Sequence, residues 1–223
     1  MKPLKLFNFR DFYKNLIYIE DKETLEILTR GYGVKARGDE TGLLCYGYMD
    51  HDKGMSFNVL SLVNYQGTEI DEDGNEKSKM AFNDGPLEKN INHTLRLDDL
   101  FNLNGDIPKL DPDDMARYVN RAVKVNELNM VTEDLEAVRY QIQLDPFRHF
   151  IYGDDLEAYV FDASNKKLEG IWVRSMALTD RGVVGKLITE VSDDFGLKLN
   201  DEIALQLYQV DGSIRLMKII GEN

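Results

Sequence analysis

Apolar and polar residues alternate with a two-residue period over much of this chain, and a helical period is clear in only two places. Two strand-like runs open it, at residues 4–9 and 16–20. Asp21 then stands where a helix N-cap is wanted, ahead of a short helix over 22–30 with Leu25 and Leu28 three apart on one face. Gly31 and Gly33 end that helix. Further strands are expected at 43–49 and 56–65, and then a polar stretch, 67–92, in which Asp73-Gly74 marks a hairpin tip or loop. Residues 93–97 read as another strand. The clearest helix follows, with Asp111 as N-cap, Pro112 in the first turn, and Asp113 and Asp114 at the positive end of the dipole. Met115, Val119, Ala122 and Val123 repeat at helical spacing as its apolar face. Arg117, Asn120 and Arg121 form the polar face, and Lys124 falls near the C-terminal end. Residues 125–132 have the character of a linker.

The second half reads mainly as strand. Val138, Tyr140, Ile142 and Leu144 alternate with Arg139, Gln141 and Gln143, the pattern of a half-buried strand. Asp145-Pro146 starts a turn or short helix reaching residue 150. Strands are expected at 157–161, 170–178, 183–189, 202–209 and 214–220. With Asp211-Gly212 as a two-residue type I′ loop, Leu207 faces Leu216 and Ile203 faces Ile220. The pattern predicts an α+β fold of mainly antiparallel sheets with a few helices. An N-terminal half, 1–128, precedes a mainly β half, 129–223, that forms a small bent sheet or partly open barrel.

Composition narrows the function classes. The 223 residues hold 27 Lys+Arg against 40 Asp+Glu, a net charge of −13, with 43 % apolar residues and one cysteine. Such a chain is long enough for one large core or two modest ones. A single cysteine forms no internal disulfide, and Cys45 has no CxxC or Cys/His neighbour for a zinc site. Charged residues interrupt the N-terminal apolar stretches, and no run approaches the ~18 apolar residues of a membrane span. Net repulsion of phosphate argues against nucleic acid and anionic membrane, and the acidity fits a basic protein partner or simple solubility. A cytoplasmic location is expected.

The motifs that carry chemistry elsewhere lack their context here. Gly31, Gly33 and Ala36 match the glycine pattern of a dinucleotide loop, but a helix precedes them and none is expected after. Residues 69–74 begin like a calcium loop, yet Met80 falls where its bidentate Glu is required. Asp50-His51-Asp52 sets an imidazole between carboxylates, but neighbours on an extended chain point to opposite faces. His51, His93 and His149 show no metal-ligand spacing. No catalytic, cofactor-binding or metal-ligating residue is assigned, and no cofactor is expected. Trp172 and Arg174 share one face of their strand, a pairing favoured at interfaces. With Asp194 and Phe195 they form the candidate partner-binding set.

From Leu168 the chain reads Leu-Glu-Gly-Ile-Trp-Val-Arg, then Gly182-Val-Val-Gly-Lys-Leu-Ile-Thr-Glu190, and then Asp194-Phe-Gly-Leu-Lys-Leu-Asn-Asp-Glu-Ile203. Residues 168–220 resemble a small bacterial β-rich domain of unknown function. That pattern has Asn-Glu-Pro where Thr189-Glu190-Val191 stands here, and glycine in place of Asn200. The resemblance implies a fold, and brings no substrate, cofactor or catalytic residue.

The leading expectation is therefore a binding or accessory protein without catalysis, immunity- or antitoxin-like toward a basic protein. Two others stand beside it. One is a hydrolase using carboxylates, with or without magnesium and His51. The other is a phage or other structural subunit, which would show a large apolar surface patch.

Overall fold

Asn8 interrupts the alternation at the start of the chain. In this computed structural model, which describes residues 1–82, 87 and 92–221, Asn8 forms a capping box with Asp11. Its side chain accepts from the Asp11 N–H, while its own N–H donates to the Asp11 carboxylate at 2.9 Å. The expected strand at 4–9 is thus a two-residue strand, β1 (Lys2–Pro3), a 3₁₀ turn (Leu4–Leu6) and a short helix, α1 (Phe9–Phe12). The chain continues through β2 (Leu16–Ile19) and α2 (Lys22–Glu26), which runs on as a π-type turn, Ile27–Gly31. Next come β3 (Gly42–Asp50), β4 (Gly54–Ile70), β5 (Glu76–Phe82), β6 (Thr94–Arg96), a 3₁₀ turn (Leu97–Leu100) and β7 (Asn104–Asp106).

These strands form one antiparallel sheet in the order β1-β7-β2-β3-β4-β5, with β6 paired to β4. The β4–β5 hairpin turns at Asp71–Asn75, where the Asp71 carboxylate accepts from the Asp73 and Asn75 N–H groups and Gly74 takes φ 82°. Of the expected polar stretch, 67–82 is thus mostly hairpin, while 83–86 and 88–91 lie outside the described residues. β3 is buried on both faces. Tyr46 and Tyr48 join Tyr18, Leu60, Val63 and Tyr65 on one side, and Cys45 lies with Phe57 and Val59 on the other. On that second face Phe12 meets Phe57 edge-on at 5.2 Å. Gly47 is required there, because a Cβ would collide with the Phe12 carbonyl oxygen.

The capped helix, α3, spans Pro112–Leu128 with Asp111 as N-cap, so residues 125–128 of the expected linker are helical. It closes the tyrosine face of the sheet with Tyr118 and Val125, and the half-buried Ala122 of the expected apolar face packs there too. Met115, Val119 and Val123, expected to face the core, are exposed. Arg121, expected on the polar face, instead donates to the Asn58 side chain and the Leu87 carbonyl.

The chain divides into two compact units, Met1–Met130 and Val131–Asn223. The second opens on a helix. The alternating run from Val138 is not a strand, because α4 (Glu133–Tyr140) and a 3₁₀ turn (Ile142–Phe147) occupy it. Thr132 caps α4, Glu133, Asp134 and Glu136 charge its first turn, and Leu135 and Val138 enter the core at helical spacing. Tyr140 and Ile142, apolar members of the alternation, are exposed.

β8 (Asp155–Asp162), β9 (Lys167–Thr179), β10 (Gly182–Leu187), β11 (Glu202–Val210) and β12 (Ser213–Ile220) then form a closed barrel in the order β10-β11-β12-β8-β9. Every pairing is antiparallel except β12 with β8, which is parallel and closes the ring. Ala158, Val160, Ile171, Val173, Leu205 and Leu216 fill it. Asp211 and Gly212 both take positive φ, 50° and 80°, as a type I′ turn requires, and Leu207 faces Leu216. That ladder ends at Gln206–Met217, so Ile203 and Ile220 lie beyond it and Ile220 pairs with Asp162 of β8. Among the described residues, no helix is long and apolar enough to cross a membrane.

Candidate functional site

The N-terminal unit carries an open groove of about 680 Å³ between the start of α2 and the segment from β6 to β7. Sheet pairing brings these distant stretches together. β2 pairs with β7 through Ile19 and Gly105, and the Glu20 N–H donates to the Asn104 carbonyl at 2.9 Å. The chain then turns into α2 at Asp21, a buried N-cap whose carboxylate accepts from the Thr24 N–H at 3.0 Å. On the opposite wall β6 leads into the 3₁₀ turn that carries Asp99.

Glu20, Asp21, Glu23 and Asp99 line this groove against two cations, Lys22 and Arg96. Arg96 is already engaged, for it donates to the Asp50 carboxylate at 3.0 Å and hydrogen-bonds the Ser56 hydroxyl. Burial works against the Asp50 carboxylate, but hydrogen bonds from the Asp52 N–H, Arg96 and the Lys53 N–H hold its carboxyl below the ordinary range. The groove is therefore left with an excess of negative charge over an apolar floor of Leu95, Leu100 and Leu103. Concave walls focus such a field. The arrangement suits a side chain with a cationic head and an aliphatic stem, the chemistry of Lys and Arg.

All four residues of the candidate partner-binding set lie in the C-terminal unit. Trp172 and Arg174 share the outer face of β9, since Ile171, Val173 and Ser175 point inward. Trp172 meets the His149 ring edge-on at 5.3 Å, and its backbone N–H donates to the Thr189 hydroxyl. Arg174 is committed to Asp155 by two hydrogen bonds, at 2.8 and 3.2 Å. Asp194 pairs with Lys167. Phe195 is buried in the barrel core, where its large apolar ring fills space that a surface role would forfeit.

Other candidates resolve in the same way. His51 sits in the exposed turn between β3 and β4, and the π-type turn precedes Gly33 with no helix after it. Cys45 is buried, and desolvation, with the Asp21 carboxylate adding to it, pushes its thiol far up, so it does not ionise near neutrality. Among the described residues no three His, Cys, Asp or Glu side chains converge as a metal site.

Compared with known proteins, the chain matches no family model, no curated protein and no solved structure. The resemblance of residues 168–220 to a β-rich domain finds no counterpart in these comparisons. One of its departures has a local explanation. Asn200, in place of glycine, takes φ 74°, and Asn is the side chain that best tolerates this left-handed region.

The groove acids were not marked by any motif. Asp98-Asp99 reads as a turn pair and Asp21 as a cap, which Asp21 is. Only the sheet order sets Glu20 and Glu23 across from Asp99.

Proposed function

We propose that this protein is a binding module for a basic protein partner and takes a Lys/Arg-rich segment of it in the groove between α2 and β6–β7. The observation that carries this reading is the groove itself, in which four carboxylates surround an apolar floor while Arg96 is tied to Asp50. Net charge of −13 adds a long-range field of the same sign. An immunity- or antitoxin-like role is one concrete form, because an acidic inhibitor of a basic toxin gains association rate by steering.

Titration of the full chain with a peptide of alternating arginine and leucine tests it. The peptide binds wild type at low salt, and the affinity falls at least about tenfold toward physiological salt as exposed charges are screened. Glu20→Gln/Glu23→Gln/Asp99→Asn weakens binding by a similar factor at low salt and leaves the fold intact, since the buried Asp21 cap is untouched. Equal binding by wild type and variant overturns the assignment of the groove.

A further inference from the structure

β6 pairs with β4 along one edge, and among the described residues nothing hydrogen-bonds its other edge. The parity of the ladder fixes which groups are left there. The Val59 N–H donates to the His93 carbonyl at 2.9 Å, so Val59–His93 is a hydrogen-bonded pair, as is Phe57–Leu95 two residues on. Asn58–Thr94 and Ser56–Arg96 are therefore non-hydrogen-bonded pairs. Their outward groups on β6, the Thr94 N–H, the Thr94 carbonyl and the Arg96 N–H, point away from β4. Thr94, Leu95 and Arg96 all line the groove. The outer edge of β5, by contrast, is covered, for the Ser78 N–H donates to the Lys109 carbonyl at 3.0 Å. Charge or proline ordinarily guards an open edge, but β6 has no proline and its one cation is drawn to Asp50.

Taking the groove as the site of the basic segment, we infer that the segment enters it extended, as an added antiparallel strand on β6. Its main chain bonds to the Thr94 N–H and carbonyl and to the Arg96 N–H, which hold any sequence alike. Antiparallel addition continues the pairing of the whole sheet and is the more stable direction per residue. Side chains then do the selecting, because they alternate across the strand. Cross-strand neighbours share a face, so residues opposite Thr94 and Arg96 fall on the Arg96 side and the residue between them falls with Leu95. That middle residue meets the floor of Leu95, Leu100 and Leu103, with the carboxylates of Glu20, Glu23 and Asp99 around it. A cation directly opposite Arg96 is disfavoured by like charge. The partner segment therefore carries Lys or Arg at every second position, with uncharged residues between.

Calorimetric titration of the full chain at low salt tests this, with the peptide of alternating arginine and leucine and two N-methylated forms of it. In the antiparallel register the leucine N–H groups face β6 and the arginine N–H groups face away. N-methylation of the leucines weakens binding at least about tenfold, because it removes main-chain bonds and leaves their partners unpaired. N-methylation of the arginines changes the affinity less than about twofold, since those groups bond nothing on β6. Thr94→Pro removes an N–H that the ladder does not use and leaves every carboxylate in place. It weakens the unmodified peptide about tenfold while circular dichroism stays unchanged. A leucine-methylated peptide that binds no more weakly than the arginine-methylated one overturns the added strand and leaves the groove assignment standing. An unmodified peptide that does not bind overturns both. The two methylated peptides decide between these outcomes on the wild-type chain, whether or not the variant folds.

Discussion

Arg139 and Asp154 form a buried, bidentate ion pair in the C-terminal unit. Their side chains are 2 % and 4 % exposed, and the guanidinium donates twice to the carboxylate, at 2.9 and 2.6 Å. Removing the acid takes from a buried cation its bidentate partner and leaves the Glu136 carboxylate at 4.0 Å. Asp154→Ala is expected to cost about 3–5 kcal/mol, read by urea unfolding with Trp172, the sole tryptophan, as the fluorescent reporter. A loss below about 1 kcal/mol contradicts the pairing. Asp162 makes a different demand. The Asn165 side chain, opposed by desolvation and aided by the Asn165 and Ser164 N–H groups, holds its carboxyl below the ordinary range. A depressed folded value means stability present above the unfolded value of about 4 and lost as pH falls through the folded one. Asp162→Asn should therefore flatten the acid limb of the stability–pH curve, and an unchanged limb counts against these hydrogen bonds. Neither pair was legible in the sequence. Arg139 reads there as the polar side of a strand, because the partner that draws it inward lies fifteen residues on.

At the scale of elements, local chemistry was readable wherever the signal was short-range. The Asp111 cap, the Asp21 cap and the Asp211-Gly212 turn all stand where the sequence puts them. The failures came where tertiary contacts chose between two periods. Val138 and Leu144 are buried under either reading, and only the exposure of Tyr140 and Ile142 separates helix from strand. The acidic first turn behind Thr132 is the local feature that favours the helix. Thr132→Ala, which removes the hydroxyl that accepts from the Leu135 N–H, should destabilise the unit by about 1 kcal/mol in thermal or urea unfolding. No change would mean that the cap contributes nothing and core packing alone holds α4. The apolar face of α3 held only in part. Of Met115, Val119, Ala122 and Val123, assigned to the core, Ala122 packs against it, while the sheet took Tyr118 and Val125 beside it and left the other three exposed.

For the whole molecule, the excess of acid is shared between the units. Met1–Met130 holds 17 basic against 23 acidic residues, a net −6, and the remaining 93 hold 10 against 17, a net −7. Many of these acids serve caps, turns and ion pairs, as Asp71, Asp111 and Asp154 do, so charge alone marks no site. The groove stands apart because four of its carboxylates face one concave space over an apolar floor, a juxtaposition made by the pairing of β2 with β7. Capture from the native host on the tagged full chain, read by intact-complex mass spectrometry, tests the central claim most directly. The account predicts one stoichiometric protein partner of basic isoelectric point, released by moderate salt and absent from the Glu20→Gln/Glu23→Gln/Asp99→Asn variant. Recovery of no stoichiometric partner, or of one that the variant retains in full, would contradict it.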